Sequence, residues 1–239
     1  MGYLYRMQRL MSVIVAEIKT ITVPPTQSEL AAGINYFFGL LPDNDARFAI
    51  TAVGERFSKS HRVIGSPVGA EGLHLSLCPT GKPEGLRQPI ETALLKAGGA
   101  VRSSGFNVIL DSAMRFSARD GQFPFVLCAD GRTIELALRL RKAIAAEQVR
   151  VGLQVTGVSS YLPHVVLLEG RGIEAISESI PLIEWKVEDF VLIRSFFGQS
   201  RHEVIGRWPL VIKSEPKVYD MLDELANMGD LPDIDDELI

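Results

Sequence analysis

The sequence predicts an α+β fold: two pseudo-symmetric lobes of antiparallel sheet flanked by helices, with a groove between them. Three observations predict it. Strand-like and helix-like segments follow one another as strand–helix–strand–helix–strand–strand, then helix–strand–strand–strand. Glycine- and proline-rich turns punctuate them, and "RDGQ" between two apolar runs is a hairpin signal for antiparallel pairing. Two short apolar runs, each carrying one histidine, recur ninety positions apart at His74 and His164, in similar local arrangements.

In chain order, "INYFFGLLP" (34–42) is an aromatic-rich strand stopped by Pro42. A helix follows, capped by Asp43 or Asn44, because Ala46, Ala49, Ile50, Val53 and Phe57 recur at helical spacing. "HRVIGSPVGAEG" is a loop leading into a strand over Leu73–Leu77. Pro89 suits a first helical turn, Ile90, Ala93, Leu94 and Ala97 form the stripe, and Gly98-Gly99 ends the helix. "GFNVILDSAMRFSA" and "FPFVLCAD" are strands, and a third helix spans 132–147 with Leu136, Leu140 and Ile144 four apart. "LPHVVLLE", a short helix or loop near 171–180, and the strands "VEDFVLIRSFF" and "EVIGRWPLVI" complete the set.

The chain has 239 residues, 46% hydrophobic and 23% charged, the composition of a globular protein with a sizeable core. No apolar run is long enough to span a bilayer. "LMSVIVA" near the N-terminus imitates a signal peptide, but Glu17 and Lys19 follow without a small-residue cleavage site, so a cytoplasmic extension is expected over 1–33. Cys78 and Cys128 are read as reduced thiols. The net charge of −4 is unevenly spread. Residues 211–239 carry nine acidic residues and two lysines, which marks 213–239 as an acidic, solvated tail. The remainder has 23 basic and 20 acidic residues, so the body between 34 and 212 does not repel a polyanion.

The chemistry is expected at the histidine runs. Leu73, Leu75 and Leu77 alternate with His74 and Ser76, so the leucines enter a core while imidazole and hydroxyl leave by the opposite face. His61 and His202 stand in loop-like contexts and are read as surface residues. Tyr36, Phe37 and Phe38 offer aromatics to both faces of one strand; one of them, taken as Phe38, is placed to stack a nucleobase. Glycine-rich nucleotide loops and metal-ligand spacings are absent.

These residues resemble a known family. His74-Leu75-Ser76-Leu77 fits the His-x-Thr/Ser-x motif of the two-histidine phosphoesterases, in particular the 2′-5′ RNA ligase and RNA 2′,3′-cyclic phosphodiesterase proteins. His164-Val165-Val166-Leu167, after Pro163, resembles the second copy, with Val166 where the family has a hydroxyl. "NYFFGLLPDNDARFAI", "VIGSPVGAEGLHLSL" and "FVLIRSFFGQSRHEVIGRWPL" are similar to the family's first strand and helix, first-motif approach and closing hairpin, so the resemblance covers about 34–212.

The resemblance implies a phosphodiesterase acting on a 2′,3′-cyclic phosphate or 2′-5′ linkage of an RNA end or small nucleotide, without metal or cofactor. It implies His74 and His164 as acid and base and Ser76 as a phosphoryl donor. Val166 removes the second donor, a loss worth roughly 10²–10³ in rate. Five positions after His164, where the family often has a basic residue, stands Glu169, with Arg171 nearby to substitute. The alternative is a degenerate member that binds a nucleotide or RNA end with little turnover.

Overall fold

Strand β1 (Ile34–Leu40) runs into Leu41 and Pro42, and Asp43 then starts α1 (Asn44–Ser60) by accepting the Ala46 N–H at 2.8 Å. The structure is a computed structural model and describes residues 33–61, 65–83, 86, 88–117, 122–159, 161–171, 175–196 and 201–211. The acidic tail and, apart from Gly33, the N-terminal extension lie outside the described residues. The remaining strands are β2 (Gly65–Pro67), β3 (Leu75–Pro79), β4 (Phe106–Arg115), β5 (Phe123–Ala129), β6 (His164–Gly170), β7 (Ser177–Val187), β8 (Asp189–Phe196) and β9 (Arg201–Pro209). Helices α2 (Ile90–Ala100) and α3 (Gly131–Arg150) complete the fold, α3 being capped by Asp130, which accepts the Thr133 N–H at 2.8 Å.

Among the described residues one nine-stranded sheet holds every strand, in the order β7-β4-β5-β6-β3-β1-β8-β9, with β2 beside β6. All of its strand pairs are antiparallel. The fold is α+β, as the sequence predicts, and its two halves meet at the seam between β6 and β3. That seam carries a single registered pair, Leu75 opposite Val165. Leu75, Leu77, Val165 and Leu167 project from the sheet into one buried cluster that runs through both halves.

The helices cover that same face, and α1 and α3 reach across the seam, whereas α2 follows β3 and packs on β8 and β9 of its own half. Helix α1 follows β1 in one half and packs on β6 and β7 of the other; α3 follows β5 and packs on β3 as well as β4. Behind the seam, the buried Arg141 of α3 donates to the carbonyls of Leu77, Val158 (3.0 Å) and Gly157 (3.0 Å), tying β3 to the segment that leads into β6. Its guanidinium also lies 4.7 Å from the Tyr161 ring.

Three sequence expectations are corrected. Of the short helix or loop expected near 171–180, the part from Ser177 onward belongs instead to β7, an eleven-residue strand whose Pro181 is tolerated because β7 is at the sheet's edge, where a missing N–H leaves no ladder bond unmade. Gly98 and Gly99 do not end α2. The helix runs to Ala100, and a Cβ on Gly98 would stand 2.5 Å from Trp208, so this glycine serves close packing instead. The run expected as one strand from Val187 is broken at Glu188, between β7 and β8.

Candidate active site

A 3₁₀ turn over Ala70–Gly72 delivers the chain to His74, immediately before β3. Strand alternation then buries Leu73, Leu75 and Leu77 and turns His74 and Ser76 to the opposite face. On β6 the same rule buries Val165 and Leu167 and leaves His164 and Val166 half-buried on the opposite face. Continuing the Leu75–Val165 register by one residue each way sets His74 opposite Val166 and Ser76 opposite His164. The two histidines are therefore diagonal neighbours across the seam, a relation that separates backbones by about 7–8 Å and keeps both rings on one face. Each motif places its third residue beside the other motif's histidine.

The two imidazoles are held alike. His74 Nδ1 lies 2.8 Å from the Gly72 carbonyl, and His164 Nδ1 lies 2.8 Å from the Leu162 carbonyl. A carbonyl only accepts, so Nδ1 carries the proton in both and Nε2 is left with its lone pair. Each ring also meets a phenylalanine: Phe37 at 4.9 Å from His74, Phe116 at 4.8 Å from His164. Phe37 reaches His74 by lying over Gly39, where an added Cβ would stand 3.2 Å from the Leu75 carbonyl oxygen and 3.7 Å from the Phe37 ring.

Burial lowers the pKa of both histidines. His74 is pushed down to about 4, first by desolvation and then by the charges of His202 and His164, against the Gly72 hydrogen bond. His164 is lowered by desolvation, against its bond to Leu162. Both are neutral at pH 7, and an anion between them favours protonation.

Around this pair the predicted residues divide. Ser76 is exposed on the His74 face, and its carbonyl accepts the Tyr161 hydroxyl at 2.6 Å. Val166 packs on a small apolar cluster of Val126, Cys128 and Leu162. Phe38 is corrected: it is fully buried against Phe190 and Trp208 and has no exposed ring face for a base to stack on, while Phe37, one position earlier, faces His74. Arg171 is corrected as well, since it follows the far end of β6, about 23 Å from His164 at the rise of an extended chain. Glu169 stands about 16 Å along, exposed and opposite Pro124 and Ser66, too distant to disturb the pair. Ser195 lies on β8 opposite His202. His61 caps the end of α1, stacks on Phe57 and sits 3.4 Å from Glu178, away from the groove.

Sequence reasoning took Phe38 rather than Phe37, read His202 as a surface residue without a part in the site, and missed Phe116. His202 is exposed, as expected, but it stands on β9 and packs edge-on against His74 at 5.1 Å. Gly39 was the one sequence signal for Phe37, because glycine inside a strand marks close approach. Cys78 and Cys128 are buried free thiols, and burial raises them to about 11 and about 12. Among the described residues no group of three or more His, Cys, Asp or Glu is placed to hold a metal ion, and no helix is long and apolar enough to cross a membrane.

Comparison with solved structures gives the same architecture. E. coli LigT complexed with 3'-AMP superposes with a TM-score of 0.53 at 24% identity, covering 74% of this chain and 98% of that one. The TT0787 protein of Thermus thermophilus gives 0.55 at 22% identity, over 75% of this chain and 100% of that one. A protein described as a phosphoesterase gives 0.52 at 25% identity, over 74% and 98%. The fold is that of the two-histidine phosphoesterases. LigT has also been solved with phosphate, ATP and NADP+. No family model and no curated protein sequence matches the chain.

Proposed function

We propose that this chain is a two-histidine phosphoesterase that hydrolyses a 2′,3′-cyclic phosphate, or a 2′-5′ linkage, at an RNA end or in a small nucleotide, with no metal. The observation that carries the reading is the matched pair of imidazoles, diagonal across the seam, each with Nδ1–H committed to a backbone carbonyl. Imidazole is the side chain able to act as acid or base near neutrality, and a fixed tautomer aims its working nitrogen. One Nε2 takes a proton from the attacking water as the new P–O bond forms. The other, protonated in the complex, gives its proton to the ribose oxygen as that P–O bond breaks. Ser76, facing the side of the seam where His164 stands, donates to a non-bridging oxygen.

Both histidines have lowered pKa values in the free protein, so the acid gains its proton with the substrate. The phosphoryl anion between the rings stabilises the imidazolium that burial disfavours. Phe37 and Phe116 give each imidazole an apolar wall suited to a ribose or base.

Val166 supports a second reading, binding of a nucleotide or RNA end with little turnover, because the donor beside His74 is missing. Cleavage of an oligoribonucleotide ending in a 2′,3′-cyclic phosphate, in excess EDTA, separates the two. Multiple turnovers in chelator are expected. Cleavage that stops in EDTA and returns with zinc or manganese rejects the two-imidazole mechanism, and binding without cleavage favours the second reading.

A further inference from the structure

Val166 offers no donor opposite His74 on the β6 side, and a third imidazole packs against His74 from the other side, that of β9. His202 packs perpendicular to His74, with ring centroids 5.1 Å apart and planes at 81°, and perpendicular to Phe37 at 5.8 Å. Strands β3, β1, β8 and β9 are consecutive in the sheet, so a flat sheet would separate β9 from β3 by about 14 Å. Irregularities at Phe38/Gly39 and Leu192/Ile193 curl this half, and the two rings meet. The curl serves no core packing at His202, which is exposed.

His202 also differs from its neighbours in what its nitrogens do. His74 and His164 each spend Nδ1 on a carbonyl, whereas among the described residues neither nitrogen of His202 has a hydrogen-bond partner. Its charged surroundings are few. His74 faces it across the ring contact, and Phe37 and Ser195, from β1 and β8, carry no charge. Arg201 and Glu203, its neighbours on β9, are paired with each other, and Arg194 of β8 is paired with Glu203 and Glu91. Residues 197–200, Phe-Gly-Gln-Ser, contain no ionisable group.

We infer that His202 is a third, substrate-contacting imidazole, which donates to a phosphoryl oxygen on the His74 side and takes the place of the hydroxyl lost at Val166. This rests on the proposed phosphodiesterase reading and adds a residue the two-histidine motif does not contain. In the free protein, partial burial lowers the pKa of His202, so it is neutral at pH 7. A bound phosphoryl anion reverses that preference, and binding takes up a proton. Affinity for phosphate therefore strengthens as pH falls.

The test uses the full chain and inorganic phosphate, with the four imidazoles followed by NMR from pH 4 to 8. Phosphate should raise the His202 midpoint by about one pH unit, alongside shifts at His74 and His164. For a chromogenic phosphodiester, His202→Phe, which keeps the ring wall, should lower kcat/KM about tenfold, while His202→Gln, which keeps a donor, should retain more. The same His202→Phe change should cost less in a Val166→Thr background, because the threonine restores the donor His202 replaces. If phosphate moves His74 and His164 but leaves His202 unmoved, the inference is wrong and the proposed function stands; full activity in His202→Phe has the same meaning. If no imidazole responds to phosphate and wild type does not turn over, both fall.

Discussion

His74 and His164 occupy equivalent positions in the two halves of the sheet. Each precedes or begins a central strand, each donates Nδ1–H to the carbonyl two residues back, and each meets a phenylalanine at nearly the same distance. Their surroundings diverge beyond that. The His74 side has an exposed third imidazole and faces Val166, a residue without a donor. The His164 side faces Ser76 and has a wall of Phe116 and the apolar cluster around Val126 and Cys128. Backbone register and local carbonyls fix what the halves share, because both follow from strand alternation and a turn. What differs is supplied by side chains arriving from other strands, and these can change without disturbing the pair.

The largest effect should come from removing either imidazole. His74→Ala and His164→Ala are each expected to slow single-turnover cleavage of a 2′,3′-cyclic phosphate end by roughly 10²–10⁴. If one variant loses activity and the other keeps it, the symmetric assignment of acid and base breaks.

A pH profile sharpens the comparison further. Burial lowers both pKa values from 6.5, so the singly protonated pair in the free protein is populated only on the acid side. The optimum of kcat/KM should lie below pH 6.5, with a fall of about tenfold per pH unit on the alkaline side. In kcat both limbs should move up, since the bound anion stabilises imidazolium. An optimum above pH 7.5 in kcat/KM would contradict the assigned environment.

The smallest expected change is at the site of divergence. Val166→Thr keeps the side chain's shape and puts a hydroxyl opposite His74; a net hydrogen bond of about 1 kcal/mol raises the rate about fivefold. Rates are read by single-turnover cleavage. A decrease would show that the new hydroxyl is spent against the Val126–Cys128–Leu162 cluster instead. Wild type inert with Val166→Thr active would establish a lapsed enzyme.

Much of this architecture is legible in the sequence because periodicity reports burial. Ile50, Val53 and Phe57 in α1, and Leu140 and Ile144 in α3, are core residues at the spacing that predicts them. The alternation of Leu73, His74, Leu75 and Ser76 likewise assigns faces correctly. Three features were illegible for physical reasons. Pro181 argues against a strand unless the strand is known to lie at an edge, which only the assembled sheet decides. Phe37 and Phe38 have the same chemistry, and which of them is buried depends on the register and bulge at Gly39. The approach of His202 to His74 depends on sheet curvature across three strands, which no local pattern encodes.

The exchanged helices have a consequence for how the protein comes apart. Because α1 belongs in sequence to one half and in packing to the other, and α3 bridges back onto β3, neither half can bury its own apolar face alone. The chain should therefore melt in one cooperative step, with a calorimetric enthalpy equal to the van't Hoff enthalpy. A fragment ending between α2 and β4 should not fold unless its complement is present, so the protein is tolerant of loop cleavage there only while both pieces stay together.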